Sequence, residues 1–191
     1  MKHPFKLSIA VAVTLSTALL TVAEADESIV NTKAYFGGQT IDASAWSAQD
    51  GHGSIGVLTD FKTGFHGIRV AVDLFGSGSE DSTTSQVKGT YSAAAQLGLR
   101  KYIDLQSKFS PYIGGGVNFA YAAQVNNDGS GDTEEEDMDT GLWLNAGVDY
   151  LLTDQFTAGV DLRYATAEVE LYGESVALDA TAFGVSLGYR W

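Results

Sequence analysis

The C-terminal segment, residues 179–191, limits the fold of this chain more than any other stretch. From residue 183 onward, large apolar side chains alternate with small or polar ones: Phe183, Val185, Leu187, Tyr189 and Trp191 enclose Gly184, Ser186, Gly188 and Arg190. A period of two predicts a β-strand with one face in an apolar medium. The opposite face is too small and too polar for a packed core, although the same alternation would also fit the last strand of a soluble β-sandwich.

The N-terminal 25 residues have the features of a secretory signal peptide. Lys2 and Lys6 precede an uncharged, largely apolar run over residues 7–22, and a small-x-small cleavage pattern follows at residues 23–25. A retained membrane anchor is the alternative, but the run is at the short end for a spanning helix. We therefore expect residues 1–25 to be removed and residues 26–191 to form one domain.

The composition excludes several classes of function. The chain has 24 acidic and 11 basic residues, a net charge of −13, whereas nucleic-acid binding needs clustered Lys and Arg. It contains no cysteine, so neither a disulfide framework nor a thiolate metal site is expected. We expect no metal and no cofactor. A mean hydropathy of −0.01 would suit a soluble protein, but also a transmembrane barrel, in which only alternate residues face lipid.

The rest of the chain repeats the alternation in segments separated by turn residues. Seven further strands are predicted, at about residues 33–43, 53–61, 65–75, 86–100, 111–124, 140–152 and 156–169. The connections alternate between long ones, at 44–52, 76–85, 125–139 and 170–177, and shorter ones, at 62–64, 104–110 and 153–155. Long outer loops and short periplasmic turns are typical of outer-membrane barrels. The sequence therefore predicts an all-β protein, an eight-stranded antiparallel transmembrane up-and-down β-barrel, expected to be monomeric.

Four short motifs resemble the small OmpA-like and OmpW-like outer-membrane barrels. They are Tyr-Ile-Gly-Gly-Gly-Val-Asn-Phe at 112–119, Ala-Gly-Val-Asp-Tyr at 146–150, Asp-Leu-Arg-Tyr at 161–164 and Gly-Tyr-Arg-Trp at 188–191. The resemblance implies a bacterial outer-membrane location, with outer-membrane lipid and lipopolysaccharide as partners. It also implies that the alternating C-terminal residues are the signal for the barrel-insertion machinery, after escort by periplasmic chaperones. Trp191 departs from the terminal Phe usual in that family.

The resemblance leaves two roles open. Members of the wider family are structural, adhesive or surface-interaction proteins, or narrow pores, and OmpW-like members are thought to pass small hydrophobic compounds. A structural or surface-interaction role is our first expectation, and a narrow porin-like channel for small solutes, including hydrophobic ones, is the alternative.

The charges on the inward face bear on that choice. Strand alternation points four acids and four arginines into the lumen: Asp60, Asp73, Asp149, Asp161, Arg69, Arg100, Arg163 and Arg190. Eight strands enclose an interior that side chains can fill, and buried charges must pair because an unpaired ion costs several kcal/mol. The balanced signs predict an ion-paired plug. A gate that opens by exchange of partners is the alternative, and the small inward residues, such as Gly114 and Gly116, favour some open space.

Two inward residues lie near the predicted outer mouth. Alternation places Trp143 on the same face as Asn145, toward the lumen. A large aromatic ring among small and polar neighbours predicts a lumen entrance. A one-residue register slip would instead make Trp143 an ordinary residue of the aromatic girdle.

Two further clusters suggest chemistry. The longest predicted loop carries an acidic run, which is either a mobile solvated loop or a loose divalent-cation site facing lipopolysaccharide phosphates: Asp128, Asp132, Glu134, Glu135, Glu136, Asp137 and Asp139. Its spacing does not fit an EF-hand. Asp50, His52 and Ser54 include the groups of an acyl-transfer triad, but no lipase elbow accompanies them. We therefore expect no enzymatic activity.

Overall fold

A computed structural model describes residues 29–41, 51–82, 87–127, 132–171 and 174–191. The predicted signal peptide, residues 1–25, lies outside them. The strands are β1 (Val30–Ile41), β2 (Gly51–Lys62), β3 (Ile68–Ser82), β4 (Val87–Tyr102), β5 (Phe109–Asn127), β6 (Asp132–Leu151), β7 (Phe156–Ala165), β8 (Glu168–Leu171), β9 (Glu174–Ala177) and β10 (Ala180–Arg190). Within these ranges, no helix is long and apolar enough to cross a membrane.

Eight of the strands form a closed antiparallel barrel. The order around it is β1-β10-β7-β6-β5-β4-β3-β2, and the remaining two strands, β8 and β9, pair only with each other. The first and last barrel strands close it, with register from Asn31 opposite Arg190 to Ile41 opposite Ala180. Closure pairs the backbone groups of both edge strands, which is the condition for a sheet to sit in lipid. The predicted fold class is confirmed.

The two faces of each strand differ as the alternation predicts. Leu144, Leu162 and Leu187 are more than half exposed on the outside of the barrel. On the neighbouring inward positions, Asp149 and Asp161 are fully buried. Since the exposed outer band is apolar, its environment is the hydrocarbon of the bilayer.

Short turns and aromatic rings mark the end of the barrel that carries both termini. The connections here are residues 63–67, 103–108 and 152–155. Ring centroids lie 4.9 Å apart for Phe109 and Tyr150, 5.1 Å for Phe156 and Tyr189, and 4.8 Å for Tyr189 and Trp191. An aromatic girdle beside short turns is typical of the periplasmic side.

The strands at the opposite, extracellular end are longer than the apolar alternation predicts. β3 continues to Ser82, β5 continues to Asn127, and β6 begins at Asp132. The predicted loops at 76–85 and 125–139 are therefore wrong over much of their length. A span needs only about 9–11 residues, so the apolar pattern ends at the membrane surface. The backbone hydrogen-bond ladder continues into water, where both faces can be polar.

The connection between β7 and β10 is also different from its prediction. β7 ends at Ala165 rather than near Val169, and the chain turns back into the β8–β9 hairpin. Val169 and Leu178 are buried there in an apolar cluster that also contains inward side chains of β1 and β5, Ile41, Ala120 and Ala122. We call this hairpin and its cluster the cap. It covers part of the lumen at the extracellular end.

Candidate functional site: an ion-pair network across the lumen

Seven charged side chains form a connected chain inside the barrel. We call this group the plug: Lys33, Asp60, Asp73, Arg100, Asp149, Asp161 and Arg163. Each is buried, and together they come from six of the eight barrel strands. The signs alternate along the chain, so that every charge touches at least one opposite charge.

The centre of the plug is a carboxylate shared by two guanidinium groups. Asp73 Oδ2 lies 2.6 Å from Arg100 Nη2 and 2.9 Å from Arg163 Nη1. Arg100 also donates through Nη1 to Asp60, and Arg163 Nε lies 3.3 Å from Asp161 Oδ1. Because β3 and β7 are not neighbours in the barrel, the contact between Asp73 and Arg163 spans the lumen.

A second crossing lies nearer the periplasmic end. Lys33 Nζ is 3.0 Å and 3.2 Å from the two carboxylate oxygens of Asp149 and 3.9 Å from Asp60 Oδ2. The Tyr102 hydroxyl donates to Asp60 Oδ2 at 2.6 Å. The contact between Lys33 and Asp149 joins β1 to β6, which are not neighbours, so it also crosses the barrel. Lys33 is not among the eight lumen charges that the sequence predicts. Phe36 points outward, so the odd-numbered residues of β1 point inward, and this alternation was the signal for Lys33.

Neutral donors and aromatic rings fill the space around the charges. Asp161 Oδ2 accepts from Tyr112 Oη at 2.8 Å and from Asn145 Nδ2 at 2.7 Å. The Trp143 ring centroid lies 5.1 Å from Arg163 Cζ and 5.8 Å from Arg100 Cζ. Cation–π contacts of this kind are strongest where water is excluded. The rings therefore fill space beside the guanidinium groups inside the barrel.

Trp143 and Asn145 face the lumen, but the predicted entrance position is wrong. Trp143 is 1% exposed and Asn145 is 6% exposed, and both lie within the plug. Trp143 packs over Gly98, where an added Cβ would lie 2.8 Å from Trp143 Cζ2. At Gly184, an added Cβ would lie 2.5 Å from Tyr35 Cζ, so this glycine leaves room for the Tyr35 ring. The small inward residues therefore make room for rings rather than for a water path.

The predicted ion-pair network is wrong for two residues, Arg69 and Arg190. Neither joins an ion pair among the residues that the structure describes. Arg69 is the second residue of β3 and Arg190 is the last of β10, so both lie beyond the plug at the periplasmic end. The nearest aromatic contact of Arg69 is the Tyr102 ring, 5.6 Å from Cζ. Without these two arginines the plug contains four acids and three cations.

Cavities lie on both sides of the plug. The extracellular one has a volume of about 50 Å³ and is lined by polar side chains such as Gln39, Ser77 and Ser92 and by the cap residue Leu178. A buried water needs roughly 10–15 Å³, so this cavity can hold only a few. The periplasmic one is an open pocket of about 400 Å³. The plug residues separate the two cavities.

Part of the predicted acidic loop is a strand that holds the cap. Asp137 Oδ2 accepts from the Glu170 N–H at 2.7 Å, and Asp139 Oδ2 accepts from the Glu168 N–H at 3.2 Å. The Tyr121 hydroxyl donates to Glu136. The hydrogen bond from Glu170, followed by one from Met138, lowers the pKa of Asp137. A mobile loop was thus the wrong prediction for residues 132–139, and Asp128 lies outside the described residues. Within the described ranges, no three metal-ligating side chains form a cluster.

Two of the three residues suggested for acyl transfer, His52 and Ser54, lie on the inner face of β2. His52 and Ser54 are buried, and His52 Nε2 lies 3.4 Å from Ser79 Oγ. Asp50 lies outside the described residues.

Comparison with known proteins agrees with this architecture. Neisserial surface protein A has 18% sequence identity, with a TM-score of 0.65 over 87% of this chain and 100% of that one. Ail, the attachment invasion locus protein of Yersinia pestis, in complex with the heparin analogue sucrose octasulfate, has 11% identity and a TM-score of 0.63 over 87% and 100%. The outer membrane protein OprG from Pseudomonas aeruginosa has 14% identity and a TM-score of 0.52 over 86% and 97%. At these identities the likeness concerns the fold.

The sequence comparisons give one further result. No curated protein matches significantly, but the family model for the outer membrane protein beta-barrel domain matches residues 9–190. With a closed eight-stranded barrel, an apolar outer band and a charged interior, the chain belongs to the outer membrane protein β-barrel family and is a protein of the bacterial outer membrane.

Proposed function

We propose that this protein is a non-conducting outer-membrane barrel with a structural or surface-interaction role. The observation that carries the proposal is the Asp73 carboxylate, which Arg100 and Arg163 hold from opposite sides of the lumen. Together with the pair of Lys33 and Asp149, it places two ionic crossings in the path of any solute. No enzymatic role is part of the proposal.

The energy of these pairs explains why the lumen stays closed at rest. Opening a path requires both crossings to separate, and an unpaired buried ion costs several kcal/mol. Because each 1.4 kcal/mol is a factor of ten in population, a cost of about 4 kcal/mol leaves an open state of roughly one molecule in a thousand. Exchange of partners between Asp60 and Asp149 would not open the lumen, since Lys33 is within 3.9 Å of both.

The extracellular strands support a role at the cell surface. β6 contains 20 residues, about twice what a span needs. At roughly 3.3 Å per residue, the remainder projects about 30 Å along the strand. The partner would differ in charge from the heparin analogue bound to Ail, because Glu136, Asp137 and Asp139 at this end repel sulfates. A cationic protein surface, or lipopolysaccharide phosphates bridged by divalent cations, suits these acids.

The route to the membrane is part of the same proposal. Residues 1–25 would be removed as a signal peptide, and residues 26–191 would fold as one domain. The alternating face of β10, which ends in Tyr189 and Trp191, would be the signal for the insertion machinery after chaperone escort. The folded protein is expected to be monomeric.

Solute flux into proteoliposomes tests the closed lumen. Liposomes containing the refolded protein should swell in solutions of glycine or arabinose no faster than empty liposomes. The variant Lys33→Ala/Asp149→Ala/Asp73→Ala/Arg163→Ala is the positive control, because it removes both crossings together with their charges. Swelling by the wild type above the empty liposomes would contradict the proposal and favour the narrow porin-like channel.

A further inference from the structure

The periplasmic pocket has a charge opposite to that of the chain as a whole. Among the described residues, its lining includes three basic side chains, Lys62, Arg69 and Arg190, and one acid, Asp104. In a chain of net charge −13, this concentration of positive charge at one mouth needs an explanation. The long strands and the cap hairpin at the other mouth carry 11 of the 24 acids.

Two guanidinium groups in this pocket have donors without acceptors. Arg69 Nη1 and Arg190 Nε are shielded from water and have no hydrogen-bond partner within the part of the chain that the structure describes. A buried donor without a partner costs about 1–3 kcal/mol, and more when the group is charged. The acid in the pocket does not supply the acceptor, since Asp104 Oδ1 accepts from the Gln106 N–H at 2.8 Å. Both side chains line this one pocket, so an anion bound there would lie beside both guanidinium groups.

From these donors we infer a binding site for a phosphate group at the periplasmic mouth, formed by Arg69 and Arg190. The planar fork of arginine donors matches phosphate oxygens, and charge-assisted bonds to them are short and strong. A pocket of about 400 Å³ has room for a phosphate with part of the molecule that carries it.

The surroundings of the pocket place it where phosphate is abundant. Phe65 and Ile103 line the pocket and are largely exposed on the outer surface of the barrel. Exposed apolar groups beside short periplasmic turns lie at headgroup level. The phosphate can therefore come from a phospholipid headgroup of the periplasmic leaflet or from a free phosphate in the periplasm.

Binding of phosphate in neutral detergent micelles tests the site. Inorganic phosphate and a short-chain phosphatidylglycerol would each be titrated into the refolded protein and followed by ³¹P NMR at constant ionic strength. We expect saturable binding of at least one probe, weakened tenfold or more by Arg69→Gln and by Arg190→Gln. Binding of both probes identifies the phosphate group alone as the ligand, and binding of the lipid alone identifies a headgroup.

The control is Lys108→Gln, which removes an exposed basic side chain at the same end but outside the pocket lining. It should leave both affinities unchanged. The site would be overturned by absence of saturable binding, by equal weakening in Lys108→Gln, or by full affinity in both arginine variants. Circular dichroism of each variant checks folding, and the two arginines lie on different strands, so one variant suffices if the other does not fold.

Discussion

The plug and the cap occupy the same lumen but are built from different kinds of contact. The plug is made of charges, and its shared Asp73 has two guanidinium partners within 3 Å. The cap is made of small apolar side chains, with Val169 and Leu178 buried against the ends of β1 and β5. The plug residues belong to strands that lie in the bilayer, whereas the cap is a separate two-stranded hairpin.

This difference predicts which of the two groups, the plug or the cap, contributes to the global stability of the barrel. Two plug contacts, Asp73 with Arg163 and Lys33 with Asp149, cross the barrel, and they cannot break without leaving charges unpaired in a poorly hydrated interior. The cap buries few apolar atoms and is attached mainly through β6, so it can open locally while the barrel remains intact. We therefore expect plug variants to change global stability and cap variants to change only local exchange.

The largest effect should come from Arg100→Ala. The substitution leaves Asp60 and Asp73 without a main partner, and breaking a buried pair on one side costs about 3–5 kcal/mol. Urea unfolding of the barrel refolded into lipid vesicles measures the loss. Lys101→Ala, which removes the neighbouring exposed side chain on the outer face, should cost less than about 1 kcal/mol. Equal costs for the two variants would contradict the plug.

The lipid face gives a reference for these energies. Leu162→Arg places a charge on the outer band and should cost roughly 2–4 kcal/mol near the bilayer midplane. Leu152→Arg, at the periplasmic turn 152–155, should cost only about 0–1 kcal/mol at the interface. The same urea titrations supply both values. A Leu152 variant as costly as the Leu162 variant would contradict the position of the barrel in the bilayer.

The cap should respond on a smaller scale and only locally. Val169→Ala removes two buried carbon atoms, about 1–2 kcal/mol at roughly 0.8 kcal/mol per CH₂. Amide hydrogen exchange in β8 and β9 should accelerate about tenfold, which corresponds to 1.4 kcal/mol, with the urea midpoint unchanged. A midpoint lowered as far as in the Arg100 variant would show that the cap and the barrel unfold together.

The smallest expected effect is the pH dependence of the hydrogen bond between Asp137 of β6 and Glu170 of the cap. The Glu170 N–H lowers the pKa of Asp137 below its ordinary value of 3.8. The stabilisation is therefore complete above about pH 4 and is lost as the pH falls through the lowered pKa. The amide chemical shift of Glu170 should change with an inflection below pH 3.8, and Asp137→Asn should abolish it. An inflection that persists in the variant would exclude this contact as its cause.

The residues that the sequence identifies are those whose environment depends only on strand alternation. Asp73, Arg100, Asp161 and Arg163 follow from period-two alternation alone, which also marks the outer band. Lys33 follows from the same alternation once Phe36 is placed on the outer face of β1.

Other features depend on geometry that alternation does not contain. The heights of Arg69 and Arg190 along the barrel follow from strand tilt and stagger, so inward orientation alone did not exclude them from the plug. The strands beyond the bilayer are polar on both faces, and the cap is a brief apolar run after β7. Neither gives a signal that differs from that of a loop.

Single-channel recording tests the central claim, that ion pairs close this barrel, most directly. Wild-type protein, labelled to verify insertion, would be studied in a planar bilayer beside Arg100→Ala and the double variant Lys33→Ala/Asp149→Ala. We predict no discrete current steps for the wild type and intermittent steps for at least one variant, because the double variant lacks one crossing of the lumen and Arg100→Ala removes a partner of Asp73, which forms the other. Regular steps from the wild type, of the same size as those of the variants, would contradict the claim.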